Sequence, residues 1–529
     1  MSNNNFAEGR GSNHSDQGLN AAGKPEVTGQ GSDRKLIIGG GLAGLACGCY
    51  LQMNGFQSEI IEADLVPGGL CAAWDRGAYT FDGCLRWLVG TDPDSAFHRI
   101  WRELGAIAGR TVINHDSFMR IEGQNGKAVS VPASLDELAR EFKRIAPEDT
   151  KRIDTLLRAA RRCASLEPPM EKPLELMTPF EKIKLGLRYL PTVPVVLAWK
   201  NRTVDAYLAT YQNEFLRQAL MAIAGDGRTS AMVLVMLLAW RSRKNAGYVT
   251  GGSRAFIQAI ADRYVRLGGH IRCNTRVVSV TVEHGRATGV RCADGTVIPA
   301  ATVISCADGR TTIYQMLEGR FVDRKTSDAY AAGDVFPGHI QVSLGIQQTF
   351  PDAPHTLSLP LFQPLRVDDQ THHARLPISV FTADAGLCPE GCTVITIGLR
   401  CRCEFWTALR KDNFAAYQRE KQSLLQQIVA ALDIRFPGLA QQVEVSDVAT
   451  PATFVRHTGN WLGSCQGWMP TPRVVGWLPP RTLPGLKEFY MAGHWVEPGG
   501  GLPYAALSAR YAAQMICASH GRPFTTTEV

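Results

Sequence analysis

A run of glycines between a short apolar strand and a helix most constrains what this 529-residue chain can fold into. The segment Leu36-Ile-Ile-Gly-Gly-Gly-Leu-Ala-Gly-Leu-Ala-Cys-Gly fits G-x-G-x-x-G with Gly39, Gly41 and Gly44, and Gly48 follows one helical turn later. Gly39 permits the tight strand-to-helix turn, Gly41 lets the backbone approach a pyrophosphate, and Gly44 allows helix to pack closely on strand. The helix N-terminus then offers unpaired N–H groups and a partial positive charge to phosphates. A lone glycine fingerprint is a weak signal, but here a second strand, Ser58-Glu-Ile-Ile-Glu62, ends in an acid at the expected distance. Glu62 is suited to accept hydrogen bonds from adenosine ribose hydroxyls, and its charge would repel a 2′-phosphate. The expectation is a Rossmann-type βαβ unit in an α/β protein.

Composition sets the bounds. A chain of this length holds two or three cooperating domains with room for a buried core. The net charge of +7, from 56 basic and 49 acidic residues, is too mild and too dispersed to point to nucleic acid. No run of eighteen apolar residues occurs; Ala231 to Trp240 and the proline-broken Leu187 to Trp199 are too short to span a bilayer as a helix. The N-terminus has no basic region followed by an apolar one, so no secretory signal is read and a cytoplasmic location follows. The 14 cysteines are scattered and are read as free thiols. The tightest group, Cys388, Cys392, Cys401 and Cys403, lacks the paired spacing of a zinc site, so no metal is expected. Cys401 and Cys403 are read as alternating along one strand.

Residues 1–33 are rich in Asn, Gly and Ser and bury too little to offset ordering entropy, so a disordered tail is expected there. From Leu135 to Trp240 the apolar spacing is helical. A helix from Phe256 to Leu267 is followed by hairpins, with alternation in Val277-Val-Ser-Val-Thr-Val. Longer strands occupy Ile340 to Arg402, one helix runs from Lys411 to Leu432, and a last strand, Glu488 to Ala492, leads into a C-terminal helix from about Pro503. Between Leu176 and Asn245 ten basic residues face four acidic ones. The Leu- and Val-rich stretch 180–199 within it reads equally as a helical lid with a solvated basic side or as an interfacial element. As the latter it would touch the inner face of a membrane.

Beyond the fingerprint, Val66-Pro-Gly-Gly-Leu-Cys-Ala-Ala-Trp-Asp-Arg-Gly-Ala-Tyr-Thr-Phe-Asp-Gly resembles the second glycine motif of the phytoene desaturase and amine oxidase superfamily. In those families the paired glycines, here Gly68 and Gly69, sit against the phosphates and ribityl chain of FAD. Leu70 stands where many members have Arg or Lys. Asn274-Thr-Arg-Val277-Val-Ser-Val is similar to the strand whose backbone brackets the adenine. Phe489-Tyr-Met-Ala-Gly-His-Trp-Val-Glu-Pro-Gly-Gly-Gly-Leu-Pro-Tyr is similar to the segment that closes over the flavin in the carotenoid branch, placing Gly493, His494, Gly501, Leu502 and Pro503 at the ring. There the following helix aims its positive end at the flavin N1/O2 edge. His494 departs from the acid that many flavoenzymes of this fold carry. Val335 to Phe350 and Ala449 to Trp468 are also similar to the phytoene desaturase, carotenoid isomerase and retinol saturase group.

The resemblance implies a glutathione-reductase-like, FAD-binding Rossmann-type domain assembled from 34–95, 247–315 and 485–522. An interleaved α+β substrate domain with a helical lid would occupy 96–246 and 316–484. It implies non-covalent FAD and hydride transfer at flavin N5 on a lipophilic polyene, whether by desaturation, saturation or isomerisation. Trp74, Phe81, Trp87, Trp461, Trp468 and Tyr504 supply aromatic surface near the motifs. No second G-x-G-x-x-G opens a βαβ unit, so electrons would pass to oxygen, a quinone or a diffusing NAD(P). Asp82, Arg86, His457 and His494 are the polar groups near the motifs; Asp82, Arg86 and His494 are the acid/base candidates, each equally suited to holding a loop. Two alternatives stand beside this reading. A flavin amine oxidase on the same fold would want an aromatic cage and a lysine-bound water, and a lipid-escort protein like the Rab GDP dissociation inhibitors would not need intact phosphate-side glycines.

Overall fold

Four-residue strands with every residue buried, Lys35–Ile38 and Ser58–Ile61, form the centre of a five-stranded parallel sheet. The order is His270–Arg272, Ser58–Ile61, Lys35–Ile38, Thr302–Ser305, Phe489–Met491, so segments far apart in the chain meet at one sheet. Continuous apolar runs such as Lys35-Leu-Ile-Ile suit a parallel sheet covered on both faces. The helices Leu42–Met53, Gly252–Arg266 and Gly501–Ser519 bury their residues against it or one another. A computed structural model describes residues 33–124, 126–382, 384 and 386–529. The expected tail, 1–33, lies outside them except for Asp33.

A second, seven-stranded sheet runs in the order Val443–Ala449, His339–Ile346, Thr393–Arg400, His372–Phe381, Thr356–Arg366, Ser117–Glu122, Ala128–Pro132. All its pairs are antiparallel except Thr356–Arg366 with Ser117–Glu122. Its alternation divides labour between two faces. Ile395, Ile397 and Leu399 pack with Leu424, Ile428 and Leu432 of the helix Phe414–Arg435, whereas Gly398 and Arg400 face a cavity. Over that cavity sit helices from 135 to 242, gathered around their own core. Ala231–Ser242 is apolar all round because it has two apolar neighbours: Leu234, Val235 and Leu238 enter the helical core, and Met232, Val233, Met236 and Trp240 line the cavity.

Two local expectations differ from what is found. Where the sequence pattern predicts one helix over 411–432, there are two, Cys403–Asp412 and Phe414–Arg435. Asn413 breaks the run at φ −149°, and its side chain caps the second helix by accepting from the Ala416 N–H at 2.9 Å. The same early helix start corrects the reading of Cys401 and Cys403, since Cys401 follows the strand Thr393–Arg400 and Cys403 opens a helix.

Candidate functional site

At the C-terminal edge of the parallel sheet the fingerprint glycines adopt the geometry expected of them. Gly39 turns at φ +96° and donates its N–H to the Ile61 carbonyl at 2.8 Å. Gly44 packs so closely that a Cβ there would collide with the Gly39 carbonyl. Gly48 likewise lies against Tyr264 of the helix Gly252–Arg266, whose ring a Cβ would meet at 2.6 Å. Gly41 is different: a Cβ would meet nothing nearer than Gly68 and Gly69, at 3.9 Å. As N-cap of Leu42–Met53 it brings no capping side chain, so the first turn presents free N–H groups to the space in front of it.

Glu62 is buried beside this turn, accepting from the Gly40 N–H at 2.5 Å and the Asp64 N–H at 2.7 Å. Burial raises its carboxyl above the ordinary range, against the pull of those backbone bonds. Glu62 also lines the cavity, and a carboxylate can accept more hydrogen bonds than these backbone groups supply. Thr275 donates its N–H to the Glu62 carbonyl at 2.8 Å, which holds the 274–277 segment and Val277 at the cavity wall. Opposite, Gly68 and Gly69 turn at φ +139° and +57°, and the Gly68 N–H reaches the Gly40 carbonyl at 3.0 Å.

The C-terminal motif closes the other end. Gly499, Gly500 and Gly501 all have positive φ, a conformation that keeps side chains out of the cavity wall. Gly493 donates to Ser508 Oγ at 2.6 Å, and the helix Gly501–Ser519 begins, uncapped by any side chain, at the cavity. An ion cluster anchors the loop: the buried Arg481 guanidinium pairs with buried Glu497 and, at 2.5 Å, with the more exposed Glu175. Burial raises the Glu497 carboxyl despite Arg481. This anchor is absent from the sequence reading, since 16 positions separate Arg481 from Glu497 and 306 separate it from Glu175.

One cavity of about 870 Å³ joins these pieces and continues between the second sheet and the helices. Gly39, Gly41, Glu62, Gly68, Gly69, Val277, Gly493, His494, Gly501, Leu502 and Pro503 all line it, as does Arg86. Gly44 acts behind the wall, in packing. Of the aromatic candidates, Trp87 and Tyr504 reach the cavity, whereas Phe81 and Trp468 are core residues. His457 lies at the Glu62 end of the cavity, its Nδ1 3.0 Å from Asp64. The cavity walls that sequence reasoning missed come from alternate strand residues and from the second face of Ala231–Ser242; the helix's all-round apolarity was the available signal.

The acid/base candidates separate sharply. Asp82 is buried behind the wall, where Oδ1 accepts from the Cys84 and Leu85 N–H groups at 2.8 Å and from Ser253 Oγ at 2.6 Å. Its Oδ2 takes the Ser253 N–H at 2.6 Å. Burial raises its carboxyl while these bonds lower it. Asp82 thus holds a loop against the N-terminus of Gly252–Arg266 and does not itself line the cavity. His494 faces the cavity, and burial depresses its imidazole to about 4, so it is neutral near pH 7. Arg86 also faces the cavity.

Comparison with known proteins agrees with this geometry. The sequence profile described as "Flavin containing amine oxidoreductase" matches residues 42–517. Among curated relatives, a lycopene-forming phytoene desaturase of Paracoccus sp. is 24% identical over 91% of this chain and 96% of its own length. A chloroplastic prolycopene isomerase of Daucus carota is 25% identical over 94% of this chain and 82% of the relative. Among solved structures, an oxidoreductase from Methanosarcina mazei superposes with a TM-score of 0.63 at 15% identity, covering 90% of this chain and 98% of the other. A putrescine oxidase bound to putrescine gives 0.60 at 15% identity, covering 92% and 99%.

Proposed function

This chain belongs to the family of flavin containing amine oxidoreductases and is a flavin-dependent oxidoreductase, and we propose that it binds FAD non-covalently and acts on a lipophilic polyene. Glu62 would take the ribose, the first turn of Leu42–Met53 the pyrophosphate, and Gly499 to Gly501 with the start of Gly501–Ser519 the ring. When bound, the flavin supplies a two-electron acceptor at N5 for hydride from an allylic carbon. The protein's part is to orient the chain, exclude water and hold charge. His494, neutral at pH 7, can exchange a hydrogen bond at the ring without adding charge. Without a second nucleotide fold, the electrons go to oxygen, a quinone or a diffusing nicotinamide.

The observation that carries the polyene over an amine is the charge of the cavity wall. Among the described residues its only acids, Glu62, Asp64 and Asp308, line the glycine-fingerprint side, and the sheet side carries Arg86, unpaired, beside Arg400, which is paired with Asp226. A wall of that sign repels an ammonium group, and no lysine lines the cavity to hold a water, among the described residues. The match to phytoene desaturases and prolycopene isomerases over nearly the whole chain supports the same substrate class. FAD-reconstituted protein incubated with phytoene, lycopene isomers, retinol and a panel of amines, with products resolved by chromatography, tests it. Turnover of a polyene is expected; turnover of amines alone would install the amine oxidase reading.

We further propose that the substrate is delivered from an anionic membrane surface. No helix among the described residues is long and apolar enough to cross a bilayer. The helix Pro179–Tyr189, however, has no buried residue, and Phe180, Ile183, Leu187 and Leu190 are 74%, 62%, 65% and 60% exposed at helical spacing. Exposed Lys182, Lys184 and Arg188 flank this stripe, a pairing that suits an interfacial helix on anionic lipid.

A further inference from the structure

Arg86 occupies an unusual position for a cation. Its guanidinium lies in the cavity wall with no hydrogen-bond or ion-pair partner among the described residues, in contrast to Arg400, the other arginine on the sheet side of the cavity. Arg400 pairs with Asp226 at 2.8 Å. The carboxylate whose charge acts most on Arg86 is Asp82, and both oxygens of Asp82 are already taken by Ser253 and the backbone of 84 and 85. Burial pulls the guanidinium below the ordinary arginine range, yet an arginine stays protonated in protein surroundings. The neighbouring imidazole of His339 cannot balance it: burial and the charge of Arg86 depress it to about 4, and its Nδ1 is buried without a partner.

The surroundings are built around this side chain. In the strand Thr393–Arg400 the apolar run is interrupted by Gly398, and a Cβ there would come within 3.1 Å of Arg86 Nη2 and 3.2 Å of Nη1. A mid-strand glycine costs about 0.5–1 kcal/mol relative to alanine, so a close approach is its usual reason. Behind, His355 holds the Arg86 carbonyl at 3.1 Å from Nε2. Room is kept for the guanidinium, its main chain is fixed, and no counter-ion is supplied. Leaving a buried charge unpaired costs several kcal/mol, whereas an incoming carboxylate meets a planar, bidentate donor.

Resting on the polyene reading above, we propose that the substrate is not a pure hydrocarbon but a polyene bearing a carboxylate, which Arg86 binds in the sheet-side wall of the cavity. Met232, Val233 and Met236 then pack the apolar chain, and Arg86 sets which end enters first.

The test uses FAD-loaded protein and a matched pair of ligands, all-trans-retinoic acid and its methyl ester, with binding read from quenching of tryptophan fluorescence. Wild type is expected to bind the acid at least tenfold more tightly than the ester. Arg86→Met should bring the two within about twofold while leaving ester binding unchanged, and Arg86→Lys should retain part of the preference. Equal binding of acid and ester by wild type, or a preference that survives in Arg86→Met, overturns the proposal. So does a shift of the flavin midpoint potential in Arg86→Met with the acid preference intact, which would assign Arg86 to the flavin. These outcomes stand apart from failure of the parent reading: protein that converts hydrocarbon polyenes without acid preference sinks the carboxylate alone, whereas protein that binds neither ligand and oxidises amines sinks both.

Discussion

Replacing Gly41 with alanine should separate cofactor binding from folding. The Gly41 backbone, at φ −69° and ψ −179°, is one that alanine adopts without strain. The added methyl would meet no protein atom nearer than 3.9 Å, so it creates no clash in the folded chain. Alanine is a poorer N-cap than glycine, but it also lowers the entropy of the unfolded chain by about 0.4–1 kcal/mol, so the two effects nearly cancel. The flavin-free variant should therefore melt within a few degrees of wild type. With FAD the balance changes, because that methyl points into the space between the first turn of Leu42–Met53 and Gly68–Gly69, where a pyrophosphate would need direct backbone contact. Loss of that approach should raise the FAD Kd at least 100-fold, about 2.7 kcal/mol. Titration of apoprotein, followed by flavin fluorescence quenching, measures one quantity, and thermal unfolding of the same preparation measures the other. Gly44→Ala is the contrasting control, since its methyl would strike the Gly39 carbonyl and should destabilise the apoprotein itself. Unchanged FAD affinity in Gly41→Ala would refute the placement of the pyrophosphate, and a collapse of apoprotein stability would refute the account of the open space.

Other consequences can be checked in the same way. Glu62→Gln keeps the shape but loses a charged acceptor for the Gly40 and Asp64 N–H groups, so FAD should weaken 10- to 100-fold by titration, about 1.5–3 kcal/mol. Since burial raises the Glu62 carboxyl, wild-type FAD affinity should fall on acidification from above pH 4.5, a limb missing in the variant. Burial depresses His339 and His494 from 6.5 to about 4. Between these values the unfolded chain binds the extra protons, so stability is lost as pH falls from 6.5 to 4, by at most about 1.4 kcal/mol per pH unit per histidine. Urea unfolding across that range should show it, and His339→Phe, which can keep the stack on Phe454, should remove one histidine's share of the slope. Arg481→Met strands the Glu497 carboxylate and should cost about 3–5 kcal/mol with loss of flavin, whereas adding Glu497→Leu should recover much of the melting temperature. Serine at Phe180, Ile183, Leu187 and Leu190 together should abolish sedimentation with anionic vesicles at an unchanged melting temperature, because none of the four is buried.

Much of the glycine-fingerprint half was legible because its geometry is local. Gly39, Gly41 and Gly44 lie within one turn of each other, and strand, turn and helix must follow from their backbone freedom whatever surrounds them. Glu62 was legible because a βαβ unit of fixed length brings the end of the second strand beside the first turn. The C-terminal glycines were readable for the same reason, since positive φ is a demand that a short segment carries by itself.

What faces the rest of the cavity was decided elsewhere. Asp82 and Arg86 are four positions apart in a polar-looking motif, yet one is consumed by Ser253 and backbone N–H groups while the other looks unpaired into the cavity. Nothing local separates them; the difference comes from the helix Gly252–Arg266 and from the strand that carries Gly398. The charge of the wall, the anchor of Arg481 to Glu175 and the second apolar face of Ala231–Ser242 arise likewise from contacts across hundreds of residues. Backbone conformation is set by neighbours in the chain, so the glycine fingerprint is written in the sequence. Burial and pairing of charge depend on which distant side chains arrive, so the sheet-side end of the cavity exists only in the folded molecule.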